Sequence, residues 1–110
     1  MIVTRTPVFH PRIEADVREA VGHYAEGAPS LGERFKRAFY ATVDQIVVFP
    51  EKHAIKVDAV IRTTLMRPFP YLIFYAVEGN RVYFLTVQYA GRKPAYLRAV
   101  VRERHGSELK

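Results

Sequence analysis

The run Ile61-Arg62-Thr63-Thr64-Leu65-Met66-Arg67-Pro68-Phe69-Pro70-Tyr71-Leu72-Ile73-Phe74-Tyr75 places two strand-length segments on either side of a proline corner. Val60 to Met66 and Tyr71 to Glu78 are rich in β-branched and aromatic residues, which fit a pleated, half-buried surface. Pro68 and Pro70 donate no backbone hydrogen bond, so the ladder stops between the two segments and the chain must turn there. Tyr71 and Tyr75, four residues apart in a strand, fall on one face and read as sheet-packing aromatics. A third segment, Arg81 to Tyr89, follows Gly79-Asn80, a dipeptide suited to a tight hairpin. Together these three segments predict an antiparallel meander.

Working outward, the polar stretch Glu51 to Asp58 reads as a loop. Before it, Leu31, Phe35, Ala38, Phe39, Thr42, Val43, Ile46 and Phe49 follow the helical period until Pro50 stops them. Ser30 and Glu33 have capping-box spacing at the start of that helix. An earlier helix is predicted from Pro11, whose ring suits a first turn, through Ile13, Val17, Ala20, Val21 and Tyr24, with Gly27 and Pro29 closing it. A short strand, Ile2 to Val8, precedes it. After the meander, Pro94 to Arg104 predicts a basic helix with Tyr96, Leu97, Val100 and Val101 inward and Arg98, Arg102 and Arg104 facing solvent. The expected fold is therefore α+β, in the order β-α-α-β-β-β-α. An N-terminal helical hairpin packs on one face of a small, mainly antiparallel curled sheet, with a short C-terminal helix. The other sheet face, or the groove beside it, is expected to be free for work, and residues 1–110 form a single domain.

With 110 residues, 49% of them hydrophobic, the chain has material for one core and not for two. Seventeen Lys and Arg against eleven Asp and Glu give a formal charge of +6, a field that favours anionic partners such as nucleic acid, a ribosome or an acidic protein segment. Cysteine is absent, which excludes disulfides, thiolate catalysis and cysteine-held metals. His10, His23, His53 and His105 are scattered with no partner spacing for zinc, and no phosphate-binding glycine loop, Gly-x-Ser-x-Gly or carboxylate pair occurs, so no metal and no cofactor is expected. Neither a signal-peptide pattern nor an apolar run near ~18 residues is present, so the expected location is the cytoplasm, with no membrane partner.

The proline corner carries more than topology. An arginine-bearing strand running into Phe69-Pro70-Tyr71 and an apolar strand ending in Tyr75 resembles the RelE/ParE toxin superfamily of bacterial type II toxin–antitoxin systems. The likeness extends over about residues 1 to 98. It includes Ile13-Glu14-Ala15-Asp16-Val17, Tyr24, Leu31-Gly32 with Phe35, and the Phe49-Pro50 stop. It also takes in Val87-Gln88-Tyr89-Ala90-Gly91-Arg92-Lys93-Pro94, where Tyr89 stands in place of the histidine of many relatives. The resemblance implies a growth-inhibiting, plasmid-stabilising type of toxin, neutralised by an antitoxin whose acidic, partly disordered segment covers a cationic groove beside the arginine strand.

Two mechanisms occur in that superfamily. Members of the RelE type enter the ribosome and cleave mRNA without a metal, which requires cations for the charged transition state and a proton source for the leaving oxygen. The ParE branch poisons DNA gyrase. Relatives of the first kind carry cations at positions that here read Thr63, Leu65 and Leu72, and further charge where Ala90 and Gly91 stand. What the resemblance leaves for a ribonuclease site is Arg67, Arg92 and Tyr96, with Lys93 beside them. The chain therefore resembles the ParE branch more closely, with DNA gyrase as the expected target. Contact with target or nucleic acid is expected through Arg62, Arg67, Tyr89, Arg92, Lys93 and Arg98. The same arginines are also compatible with surface ion pairs and a solvated basic end. A ribosome-dependent endoribonuclease, and a non-toxic remnant that binds its antitoxin or a second copy of itself as a homodimer, remain the alternatives.

Overall fold

The computed structural model describes residues 5–52 and 54–108. Its elements run β1 (Thr6–Phe9), α1 (Ile13–Gly27), α2 (Pro29–Val48), β2 (Ile55–Lys56), β3 (Ile61–Leu65), β4 (Tyr71–Glu78), β5 (Arg81–Tyr89) and α3 (Pro94–Glu108). The sheet has the order β1-β5-β4-β3-β2. All neighbours are antiparallel except β1, which runs parallel to β5 through Thr6↔Arg81 to Phe9↔Phe84. The α+β class and the helical hairpin on a mainly antiparallel sheet are as the sequence predicts.

Several local expectations are corrected. The loop after α2 contains an additional two-residue strand, β2, paired with β3 through Ile55↔Thr63 and Lys56↔Arg62. Pro29 opens α2 instead of closing α1. Ala28, extended at φ −164°, ends one helix and begins the next, which leaves the proline at the first helical position where its missing N–H costs nothing. The Ser30/Glu33 capping box accordingly does not form, since the cap residue is Ala28 and no side chain caps the helix. Pro11 lies outside α1, which begins at Ile13. The first strand is Thr6–Phe9, and Ile2 to Thr4 fall outside the described residues. The last helix continues beyond Arg104 to Glu108.

Apolar residues at helical spacing bury one stripe of each hairpin helix. Ile13, Ala20, Phe35, Phe39, Val43 and Ile46 pack on Ile73, Tyr75, Val82, Phe84 and Val87 of the sheet. Gly32 lets the two helices approach: a Cβ there would sit 3.0 Å from the Val21 carbonyl oxygen and 3.2 Å from the Ala25 Cβ. At the end of α2, the buried Tyr75 hydroxyl donates a 2.6 Å hydrogen bond to the Pro50 carbonyl, fixing the helix stop onto the middle of β4. Contrary to the expectation above, the opposite sheet face is not free, because α3 covers it. Val101 and Leu97 pack with Ile61, Phe74, Ala76 and Leu85.

β4 and β5 are out of step by one residue. Tyr75 pairs with Phe84 and Phe74 with Thr86, so Leu85 is the extra residue of a bulge. Val82 and Phe84 face the hairpin before it, and Val87 faces the hairpin after it.

Because β1 pairs with β5 only as far as Phe84, the outer edge of β5 beyond that point needs other partners. The His10 amide donates to the Phe84 carbonyl at 2.9 Å, and Arg104 of α3 donates to the Leu85 carbonyl at 2.9 Å. Arg104, read from sequence as facing solvent, is instead 5% exposed. Its guanidinium grips both carboxylate oxygens of Asp16 on α1, at 2.8 and 3.1 Å, and the Thr86 hydroxyl donates to the same carboxylate at 2.7 Å. One ion pair thus joins the helices of the two faces around the sheet edge.

A buried pair that loses one partner leaves a desolvated charge behind, whereas an exposed pair loses little. Arg104→Ala is expected to cost about 3–5 kcal/mol in urea unfolding. Arg12→Ala breaks the Arg12–Glu103 pair, whose side chains are 63% and 66% exposed, and is expected to cost less than about 1 kcal/mol. Equal losses for the two variants would contradict a structural role for the buried pair.

Candidate functional site

A groove of about 830 Å³ opens at the C-terminal end of β5, between α1 and α3. Its wall is aromatic. Phe69 of the proline corner is buried against Phe35 and Tyr24, with ring centroids 5.1 and 4.8 Å apart, and Tyr24 in turn lies 6.0 Å from Tyr71. Tyr71 continues to Tyr89 across the β4–β5 pair at 5.9 Å. Backbone hydrogen bonds hold the corner in place, among them those from the Met66 amide to the Tyr71 carbonyl (2.7 Å) and from the Ala90 amide to the Pro70 carbonyl (2.9 Å). The Phe-Pro-Tyr bend thus builds one wall of the groove by inserting Phe69 between the helices and presenting Tyr71 to the opening. Burial raises the pKa of both Tyr24 and Tyr71 above 10.0, so each remains a neutral phenol at physiological pH.

The floor is the network at the β5 edge. Gln88 donates to the Thr86 hydroxyl at 2.8 Å, which continues to Asp16 and Arg104. Across the opening α3 supplies Tyr96, 44% exposed, with the Arg92 guanidinium 4.9 Å from its ring centroid. Gly91 allows the chain to leave β5 so closely that a Cβ there would lie 2.4 Å from the Tyr89 ring. Tyr89 itself is 47% exposed and stands at the groove mouth.

Of the residues singled out from sequence, the structure brings Tyr89, Arg92 and Tyr96 together on this groove. Arg67 is exposed in the β3–β4 corner at the same end of the sheet but does not line it. Arg62 is half-buried in β3, paired with Lys56 and Tyr75, and lies elsewhere. Lys93 and Arg98 are exposed outside the groove. Residues not anticipated there are Asp16, Glu19, His23, Gln88, Glu103 and Arg104. Their presence corrects the expected cationic groove beside the arginine strand. Glu19, Glu103 and Asp16 offset Arg12, Arg92 and Arg104, and two of those arginines are already bound, Arg12 to Glu103 at 2.6 Å and Arg104 to Asp16. Among the described residues no group of three or more His, Asp or Glu side chains gathers as a metal site would.

Residues 8–94 match the model of the ParE toxin of the type II toxin–antitoxin system parDE. The chain belongs to the ParE toxin family of type II toxin–antitoxin systems. Its partner is therefore an antitoxin. The fold is similar to that of the chromosomal ParDE toxin–antitoxin system from P. aeruginosa, with a TM-score of 0.69 at 15% identity over 78% of this chain and 96% of that one. It is also similar to a double arginine-to-alanine mutant of the E. coli toxin RelE in the free state, with a TM-score of 0.60 at 17% identity over 90% of this chain and 97% of that one. No curated protein sequence matches the chain. No described helix is long and apolar enough to cross a membrane.

Beside the floor network lies His10, 5% exposed, whose Nδ1 accepts the Arg12 amide at 3.0 Å. Burial first, and then the Arg104 and Arg12 charges, lower its pKa below the ordinary 6.5, outweighing Asp16 and Glu103, which raise it. The unfolded chain therefore takes up this proton at a higher pH than the folded one. Stability contributed by neutral His10 is complete above about pH 6.5 and declines as the pH falls towards the folded-state value. Urea midpoints measured from about pH 7 to 5 should fall less for His10→Gln than for the parent. Parallel pH profiles would refute the assignment.

Proposed function

We propose that this ParE-type toxin arrests growth by poisoning DNA gyrase, using the end of the sheet that carries Tyr89, Arg92 and Tyr96 as its contact surface. The observation that supports this reading is the charge balance of the groove. Cleavage of RNA by its own 2′-hydroxyl builds negative charge in the transition state, and unpaired cations aimed at that charge supply much of the acceleration. Here Arg12 and Arg104 are held by carboxylates, Arg92 is stacked on Tyr96, and Glu19 and Glu103 face the same space. A phosphodiester entering this groove meets carboxylates as well as arginines. Thr63 and Leu65 of β3 and Leu72 of β4 stand where the resemblance places cations of the nuclease members, and Arg67 stands outside the groove.

The same features suit a protein partner. Exposed tyrosines and an arginine at the rim of a largely preformed concavity are the side chains that dominate protein interfaces. On this reading Tyr89, Arg92 and Tyr96 anchor the target, and the aromatic wall behind them keeps the rim rigid.

Purified toxin is expected to block DNA supercoiling by gyrase and to accumulate cleaved-DNA complexes, with Arg92→Ala and Tyr89→Ala each weakening inhibition about tenfold or more while leaving the fold intact. Unaffected supercoiling in a strain whose growth still arrests would remove the gyrase target. Codon-phased cuts in translated mRNA, abolished by Tyr96→Phe, would then install the ribonuclease reading with Arg67, Arg92 and Tyr96 as its residues. Harmless expression without antitoxin would leave only a binding module.

A further inference from the structure

Beginning at the groove's edge, a run of positive charge continues onto α3. From Gly91 to Arg102 the sequence contains Arg92, Lys93, Arg98 and Arg102 and no carboxylate. The first acid, Glu103, is bound to Arg12. Leu97, Val101 and Arg104 turn towards the sheet, which leaves Ala95, Arg98, Ala99 and Arg102 on the side of the helix directed away from it, all exposed. Among the described residues Arg98 and Arg102 make no ion pair. The first turn of α3 carries no acidic residue, and Arg92 and Lys93 precede it, so the side chains add to the positive end of the helix dipole instead of offsetting it.

We infer that this ridge, Arg98 and Arg102 with Arg92 and Lys93 at its head, binds the phosphate backbone of duplex DNA, so that the toxin grips the DNA held by its target as well as the target itself. The shape favours a rod-like polyanion over an acidic peptide. The ridge is convex, and its only apolar members are Ala95 and Ala99, which give a disordered peptide no anchoring pocket to offset its ordering cost. For a phosphate backbone the two alanines are an advantage, because they let it approach the helix closely while the arginines reach from either side. Arg98 and Arg102 are one turn apart, about 6 Å along the axis, close to the roughly 7 Å that two nucleotides of one strand occupy along a duplex. Such contacts carry no sequence information, so binding should be non-specific and strongly dependent on salt.

The choice of DNA as the polyanion rests on the gyrase reading, and the experiment separates the two. Binding of a fluorescent duplex oligonucleotide is measured by anisotropy from low to physiological salt, with no gyrase present, for the parent toxin, Arg98→Gln/Arg102→Gln, and Arg34→Gln/Arg37→Gln. The last pair removes the same charge from exposed positions on α2. The ridge variant should bind about tenfold or more weakly, and its log–log salt slope should fall by about 1.8, from two lost phosphate contacts. The α2 variant should stay close to the parent. Equal loss in both variants, no binding by the parent, or tighter binding of an RNA hairpin than of the duplex would overturn the inference. Supercoiling assays with the same proteins provide the second arm. Undiminished gyrase poisoning by the ridge variant refutes the ridge and leaves the gyrase target standing. Duplex binding through the ridge by a toxin that does not affect gyrase refutes the target and leaves the ridge standing.

Discussion

The ion pair between Asp16 and Arg104 is the constraint on which the rest of the molecule depends. Strand β1 covers only the first part of β5, and the exposed edge beyond it would present unsatisfied carbonyls between two layers of helices. Arg104 satisfies the Leu85 carbonyl with the same guanidinium that grips Asp16, so one side chain completes the sheet edge and joins α3 to α1. Isolated buried pairs rarely add stability, because desolvation offsets attraction. What this pair supplies is position: it sets the distance between the two helices that form the walls of the groove.

The second determinant is the aromatic corner. Phe69 enters the helical layer while Tyr71, two residues later, points to the opening, so the bend transmits the packing of the core directly to the groove. Rigid walls and a polar floor leave Tyr89, Arg92 and Tyr96 as the exposed and chemically distinctive part. The groove and the cationic side of α3 share Arg92 at their boundary, so one short segment after β5 serves both surfaces.

Much of the fold was legible because its signals are local. Tyr71 to Glu78 and Arg81 to Tyr89 are bounded by proline and by Gly79-Asn80, and the strands begin and end at those residues. β2 is not legible, because two residues are too short for any alternation to be visible. Pro29 is ambiguous in sequence, since a proline both ends one helix and suits the start of the next. The groove was only partly legible. Tyr89, Arg92 and Tyr96 lie in one segment and could be read together, but Asp16 and Arg104 are 88 residues apart and meet only in three dimensions. Periodicity did contain a hint. Arg104 stands three residues after Val101 and seven after Leu97, on the buried stripe of α3, and only its residue type argued for solvent.

The bulge at Leu85 has a wider meaning for the toxin as a shape. An unbroken β5 that kept Val82 and Phe84 inward would also turn Thr86 and Gln88 under the hairpin and send Val87 and Tyr89 to the opposite side. The inserted residue acts as a half-period phase shift, so that Val87 faces the hairpin together with Val82 and Phe84 although it stands three positions after Phe84. A single-codon deletion of Leu85 would remove the extra residue and leave Thr86 to Tyr89 on the faces they now occupy, whereas flattening the bulge with Leu85 kept would invert them as a block, exchanging hydroxyl and amide for apolar and aromatic side chains.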